Sequence, residues 1–237
     1  MTDPRLDDLA ARLAALTARI ATACAAAGRD PVELTLVAVS KTWPAADVVR
    51  LAALGVRDFG ESYAAEARDK AGALRAAGLD VAWHFVGRLQ RNKCRSIATF
   101  ADVVHSVDRP EVVTALSAAA ARAEREIAAL VQVSYDHDDD PGRGGCRPDQ
   151  AIELARLVAG APWLTLRGVM ALAPLGAPAG PVFAELRTLA AALRTEHPGA
   201  TVISAGMSGD LEDAVREGAT HLRVGTALFG DRPPASV

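Results

Sequence analysis

Eight short apolar segments, each followed by a stretch with helical character, divide this chain into units of similar length. The segments are Leu34–Ser40, Arg57–Gly60, Ala82–Gly87, Asp102–Ser106, Ala128–Ser134, Leu166–Ala171, Thr201–Ala205 and His221–Gly225. Their length, their β-branched content and the turn residues around them read as strands. Between them Pro44–Leu54, Ala64–Ala77, Arg109–Arg125, Pro148–Val158, Val182–His197 and Leu211–Glu217 carry the Ala, Leu, Glu and Arg pattern of helices. Eight βα units in about 200 residues predict a compact α/β fold, a single (βα)8 TIM barrel. An open doubly wound sheet would need a glycine-rich phosphate loop after its first strand, and Ser40-Lys-Thr-Trp-Pro44 contains no glycine. An amphipathic stretch from about Arg5 to Ala27, closed by Gly28, predicts an extra N-terminal helix. With no strand before it, its expected place is over the barrel floor. The chain is expected to be one domain over residues 1–237, its barrel spanning about 34–232.

Composition narrows the partners. The chain has 237 residues, 50% of them hydrophobic, enough for one substantial core. A net charge of −3 offers no general attraction to nucleic acid or to an anionic membrane, so neither is an expected partner. Cys24, Cys94 and Cys146 form no CxxC pair and are odd in number, the pattern of ordinary thiols in a reducing cytosol. No apolar stretch of signal-peptide type is evident, nor one near the roughly 20 residues that cross a bilayer, so a cytoplasmic location is expected. One low-complexity segment, Tyr135–Cys146, reads as a solvated loop after the fifth strand. Its His137, Asp136, Asp138, Asp139 and Asp140 are consecutive side chains that rarely converge on one ion, and no metal is expected.

In such a barrel the chemistry sits at the C-terminal strand ends. Around that mouth the strands offer Lys41, then Glu61 and Ser62, then His84, Ser106, Ser134 and Met170. Only three of the 26 basic residues are lysines, and Lys41 directly follows a buried-type strand. A partly desolvated amine there can lose its proton and condense with a carbonyl as a Schiff base, which guanidinium cannot do; a surface lysine opening the next loop is the plainer reading. After strands seven and eight come Ser204-Ala-Gly-Met-Ser-Gly-Asp210 and Arg223-Val-Gly-Thr-Ala-Leu-Phe-Gly230. Loops at these positions are the usual barrel phosphate site, where Ser208 and Thr226 supply hydroxyls and Gly225 a close-lying amide. Each piece alone also reads as turn or cap. Together, an amine on strand one and an anion cradle on strands seven and eight become neighbours when the barrel closes. One ligand carrying both an aldehyde and a phosphate satisfies both, and pyridoxal 5′-phosphate, the vitamin B6 aldehyde, is the cofactor that does.

Arg223, two residues before Gly225, can then face inward to the pyridine nitrogen. A guanidinium only donates, which leaves that nitrogen unprotonated and discourages carbanion chemistry. The competing reading turns Arg223 outward to Glu217. His84 stands either near the cofactor ring or as a satisfied core residue. Arg88, Arg91, Lys93 and Arg95 form a basic run without interleaved aromatics, read as a solvated helix face.

Val37-Ala-Val-Ser-Lys-Thr42, Phe59-Gly-Glu-Ser62, Trp83-His-Phe-Val-Gly87, Leu89-Gln-Arg-Asn-Lys93, His105-Ser-Val-Asp-Arg109, Gly206-Met-Ser-Gly-Asp210 and Arg223–Gly230 resemble, in order and spacing, the pyridoxal-phosphate homeostasis protein family. The resemblance implies a barrel similar to the N-terminal domain of alanine racemase, with the cofactor as a Schiff base on Lys41. It implies phosphate contact by Ser208, a Gly-Thr pair at Gly225 and Thr226, and a pyridine-facing arginine at Arg223. Ser204, Ser62 and His84 complete the expected cofactor-binding set. Ser62 stands where the family has asparagine, so a hydroxyl replaces an amide there, and Ala205 stands where methionine is common. The family is regarded as carrying or regulating the cofactor pool, which implies a non-catalytic protein that supplies apo PLP-dependent enzymes; a monomer is expected. The alternatives are an amino-acid racemase or decarboxylase on the same barrel, or a lysine-dependent aldolase acting on a sugar phosphate. A racemase needs acid and base groups on both faces of its cofactor, and Tyr63 and Tyr135 are poorly placed for that role.

Overall fold

A computed structural model describes residues 3–136 and 143–231. His137 to Asp140 and the last residue of the expected barrel, Arg232, lie outside the described residues. The chain opens with α1 (Pro4–Ala27), capped by the Asp3 carboxylate, which accepts from the amides of Arg5 and Leu6, and closed by left-handed Gly28. Strands and helices then alternate: β1 (Thr35–Val39), α2 (Ala45–Ala53), β2 (Asp58–Glu61), α3 (Ala64–Ala76), β3 (Ala82–Phe85), the single turn α4 (Cys94–Ile97), β4 (Val103–Val107), α5 (Pro110–Ala123), β5 (Ile127–Val133), α6 (Ala151–Gly160), β6 (Leu164–Ala171), α7 (Ala179–Glu196), β7 (Val202–Ser204), α8 (Leu211–Arg216), β8 (His221–Val224) and α9 (Thr226–Phe229). The strands pair in parallel in chain order and close, β8 lying against β1 with Val37 opposite Arg223 and Ala38 opposite Val224. The expected (βα)8 barrel is the fold observed.

Alternation along the strands separates two environments. Outward residues such as Ala38, Phe59, Trp83, Val104, Val131, Val169, Ile203 and Leu222 join the helices in one large apolar core between wall and ring. Inside the wall, Leu130, Met170 and Val202 form a small separate apolar group. The neighbouring inward positions His84, His105, Ser204, His221 and Arg223 are polar, whereas such barrels usually fill this space with branched aliphatics.

The helix α1 departs from the expected position. It packs on α8, α9 and α2, at the flank of the barrel and not beneath it. The reason lies in the last unit, where β8 is followed only by the four-residue α9, leaving a gap in the helix ring that α1 fills. It runs in the same sense as the other ring helices. At the mouth Arg5 donates to Asp47 Oδ2 of α2 and to the Phe229 carbonyl of α9, while at the floor Arg29 donates to the carbonyls of Val215 and Ala219. By length and apolar content α1 is also long enough to cross a membrane, against the expectation from the sequence. Its Leu9, Leu16, Ile20, Ala23 and Cys24 are instead buried against the protein's own core.

One irregularity sets the height of the β6 end. The β5–β6 register slips between Ala129, opposite Leu166, and Leu130, opposite Gly168. Gly168 has φ +147°, and a Cβ there would lie 1.9 Å from the Val202 carbonyl oxygen. Only glycine lets β6 and β7 approach this closely. Gly168→Ala is expected to destabilise the protein by about 3 kcal/mol, measured by chemical denaturation, because the clash is with backbone that cannot move aside.

Candidate functional site

At the mouth, the segment leaving β1 is held from behind by buried charge. Lys70, on the inward face of α3, is 2% exposed and Glu61, at the end of β2, is fully buried. The Lys70 ammonium donates to the Ser40 carbonyl (2.6 Å), Glu61 Oε1 (2.5 Å) and Glu66 Oε1 (2.6 Å), using all three of its hydrogens. Ser40 Oγ donates to Glu61 Oε1 at 2.6 Å, and the Thr42 amide donates to Glu66 Oε1 at 2.6 Å. Thr42 has φ 71°, a left-handed geometry unfavourable for a β-branched residue. Lys41 is therefore flanked on both sides by backbone that the Lys70 cluster fixes. Burial pushes the Glu61 carboxyl above the ordinary carboxylate range, and its contacts with Lys70 and Ser40 pull it back.

Lys41 lines a cavity of about 340 Å³, within the size range of small-molecule sites. Ser208, Arg223, Gly225 and Thr226 line the same cavity, with Val39, Val86 and Leu172 as apolar wall. Trp43 lines it too, stacked on Phe229 at 5.6 Å with the Arg5 guanidinium 5.1 Å from its ring centre, so α1 braces the mouth. Ser208 Oγ accepts from the Ala227 amide of α9 at 3.2 Å, which joins the loops after β7 and β8. Gly206, at φ +88°, turns the chain into α8 where a Cβ would come within 2.5 Å of Ala214.

Arg223 is 4% exposed. Its Nη1 donates to Ser204 Oγ (2.6 Å) and its Nη2 to the Ala171 carbonyl (2.9 Å). Burial lowers the guanidinium to about 10, which keeps it cationic at neutral pH. It does not reach outward to Glu217, which pairs with Arg187 and Arg216.

Three of the residues expected from the sequence stand away from the lining. Ser204 lies behind Arg223. His84 is buried inside the wall, bonded to His105 and to Asp58, the satisfied-core alternative of its two readings. Ser62 is half-buried against Gly87, where an added Cβ would meet it at 2.9 Å. Glu66, Lys70 and His105 were not among the sequence candidates. A signal for Lys70 existed: it shares the buried α3 face with Ala67 and Leu74 at helical spacing. The cavity thus combines a primary amine, hydroxyl and backbone donors, a fixed cation and apolar walls, a donor set suited to an aromatic aldehyde that carries an anionic group.

The fold and this cavity define the barrel class of the alanine racemase N-terminal domain, whose family profile matches residues 11–233. A pyridoxal phosphate homeostasis protein of Pseudomonas aeruginosa is 41% identical over 227 residues, covering 96% of this chain and 97% of the relative. Another relative of the same name, from Escherichia coli K12, is 36% identical over 231 residues, with 96% and 98% covered. Among solved structures, PipY of Synechococcus elongatus PCC7942 with PLP bound superposes with a TM-score of 0.81 at 35% identity, covering 94% of this chain and all (100%) of that one. The chain belongs to the pyridoxal phosphate homeostasis protein family.

Lys70→Met is expected to cost about 3–5 kcal/mol of stability by urea unfolding, because it strands the Glu61 carboxylate in the interior. The loss should be larger at pH 8 than at pH 5, since protonating Glu61 relieves it, and Glu61→Leu added to Lys70→Met should recover most of it.

Proposed function

We propose that this chain binds pyridoxal 5′-phosphate, holds it as a Schiff base on Lys41, and supplies it to apo PLP-dependent enzymes of the cytoplasm without turnover of its own. The observation that carries this reading is that Lys41, Ser208, Thr226, Gly225 and Arg223 line one cavity. Lys41 would supply the amine that condenses with the cofactor's aldehyde with loss of one water, so no further reactant would be needed. In this reading Ser208, Thr226 and the Gly225 backbone would hold the phosphate, the apolar residues Val39, Val86 and Leu172 would border the ring, and Arg223 would donate to the pyridine nitrogen. When bound, the cofactor supplies an electron sink for amino-acid chemistry. Arg223 weakens that sink, because a guanidinium donates a hydrogen bond and gives up no proton near neutral pH. Ser204 and His84 act from behind, on the arginine, and Ser62 through its packing against Gly87 at the neighbouring strand end.

Acid–base catalysis on the carbon skeleton of an amino acid needs a titrating group over the cofactor. Among the described residues neither tyrosine lines the cavity: Tyr63 is 58% exposed, and the Tyr135 hydroxyl is buried without a partner and its acidity suppressed by burial. That supports storage over racemisation or decarboxylation.

The protein mixed with PLP should be yellow, lose its visible band on borohydride treatment, and reactivate an apo PLP-dependent enzyme. Lys41→Ala should abolish the reducible band with an unchanged circular dichroism spectrum; a variant that keeps the band assigns the linkage elsewhere. Steady racemisation of alanine or serine by the loaded protein would replace the carrier reading with the enzyme one, and a protein that stays colourless with PLP but cleaves a sugar phosphate would point to the aldolase.

A further inference from the structure

Inside the barrel a row of polar side chains descends from Arg223 to the floor. Arg223 Nη1 donates to Ser204 Oγ at 2.6 Å, and Ser204 Oγ lies 2.9 Å from His105 Nδ1. His105 Nε2 lies 2.8 Å from His84 Nδ1, and His84 Nε2 lies 2.9 Å from Asp58 Oδ1. Ser204 and His105 are fully buried and His84 is 1% exposed, whereas the Asp58 side chain, at the start of β2, retains 28% exposure.

The two ends give this row a direction. A guanidinium has donors and no acceptor, and an ionised carboxylate has acceptors and no donor. Ser204 Oγ accepts from Arg223, so its own hydrogen goes to His105 Nδ1. His105 then carries its proton on Nε2 and donates to His84 Nδ1, which places the His84 proton on Nε2, aimed at Asp58. Every link is satisfied with both imidazoles neutral. The reverse order would set a His84 lone pair against the Asp58 carboxylate and leave the Ser204 hydrogen without an acceptor. Burial and the neighbouring His84, Arg223 and His221 hold His105 well below the ordinary histidine range. His221 has its ring centre 6.1 Å from that of His84 and 6.4 Å from that of His105; it bonds Thr220 Oγ1, and burial lowers it to about 4.

We propose that Asp58, His84, His105 and Ser204 are positioning residues for Arg223, a one-way hydrogen-bond relay that orients the guanidinium at the cavity and is anchored by the Asp58 acceptor at the opposite face of the barrel. Bonds aligned in one sense polarise one another, so the relay grips Arg223 more firmly than its single contact with Ser204 would. The proposal rests on the reading that the cavity takes PLP with Arg223 at the ring nitrogen. It adds that the grip on the ligand is set partly from the barrel floor.

Two measurements test it. In cofactor-free protein with 15N-labelled histidine at pH 7, His84 and His105 are both expected as neutral Nε2–H tautomers; a cation or an Nδ1–H tautomer at either overturns the relay, whatever the cavity binds. In protein loaded with PLP, Ser204→Ala and Asp58→Ala are each expected to speed PLP release about tenfold, while the visible band still forms at saturating PLP. Asp58→Asn, whose carbonyl still accepts from His84, is expected to release PLP at close to the wild-type rate. Unchanged release in both alanine variants overturns the positioning role. A wild-type protein that forms no band with PLP would instead remove the Lys41 reading, and the histidine tautomers would still decide the relay.

Discussion

Everything at the mouth depends on the pairing of β8 with β1. Val37 opposite Arg223 and Ala38 opposite Val224 bring the first strand end against the last. Residues far apart in the chain become neighbours: Gly225 lies so close to β1 that a Cβ would stand 3.4 Å from the Val39 carbonyl. Without closure, the Lys41 amine and the Ser208 and Thr226 hydroxyls would be parts of two unrelated loops. With it they border one small space whose walls are strand ends, and strand ends are rigid because each is bonded on both sides.

Closure also makes an interior, and this protein fills it unusually. The apolar driving force comes almost wholly from the layer between wall and helices, where the large buried side chains gather. That surplus lets the lumen carry histidines and an arginine, and lets the wall behind Lys41 carry an ammonium and a carboxylate. Such groups are costly to desolvate unless each hydrogen and lone pair finds a partner. Among the described residues nearly all do, and the exceptions are local: Glu61 Oε2 is one of the few buried polar side-chain atoms there with no partner. Polar groups held this way add little net stability, but they have few alternative arrangements, and rigidity is what a site needs.

How much of this could be read from the residues follows from the range of the forces involved. The strands were legible because a buried parallel strand is a local apolar run; observed β1 (Thr35–Val39) sits within the expected Leu34–Ser40, and the ends of the others shift by at most two residues. Lys41 and the glycine- and serine-bearing segments after β7 and β8 were legible as an amine and donors at strand ends. The single turn α9 escaped because four residues are too few to show a helical period, and the basic run read as a solvated helix face is helical only from Arg91, as a 3-10 turn leading into the single turn α4. The side of the barrel taken by α1 escaped because an amphipathic pattern names a face without naming what covers it. His84, His105 and Asp58 sit on three different strands, and their mutual bonds are tertiary facts that no spacing encodes. Lys70 drew no reading of its own from the sequence, although its position in line with Ala67 and Leu74 marks it as inward-facing.

The helix that completes the ring has a bearing on how the protein comes into being. In chain order α1 precedes the eight βα units, yet two of its three partners, α8 and α9, belong to the last two, and Arg5 must wait for the Phe229 carbonyl 224 residues further on. Until then α2 is the one of these three partners already in place, and the apolar face of α1 with Leu9, Leu16 and Ile20 is incompletely covered. Closing so long a loop carries an entropy cost that is repaid only when the barrel closes, so α1 docks fully only with the last two units, late and cooperatively.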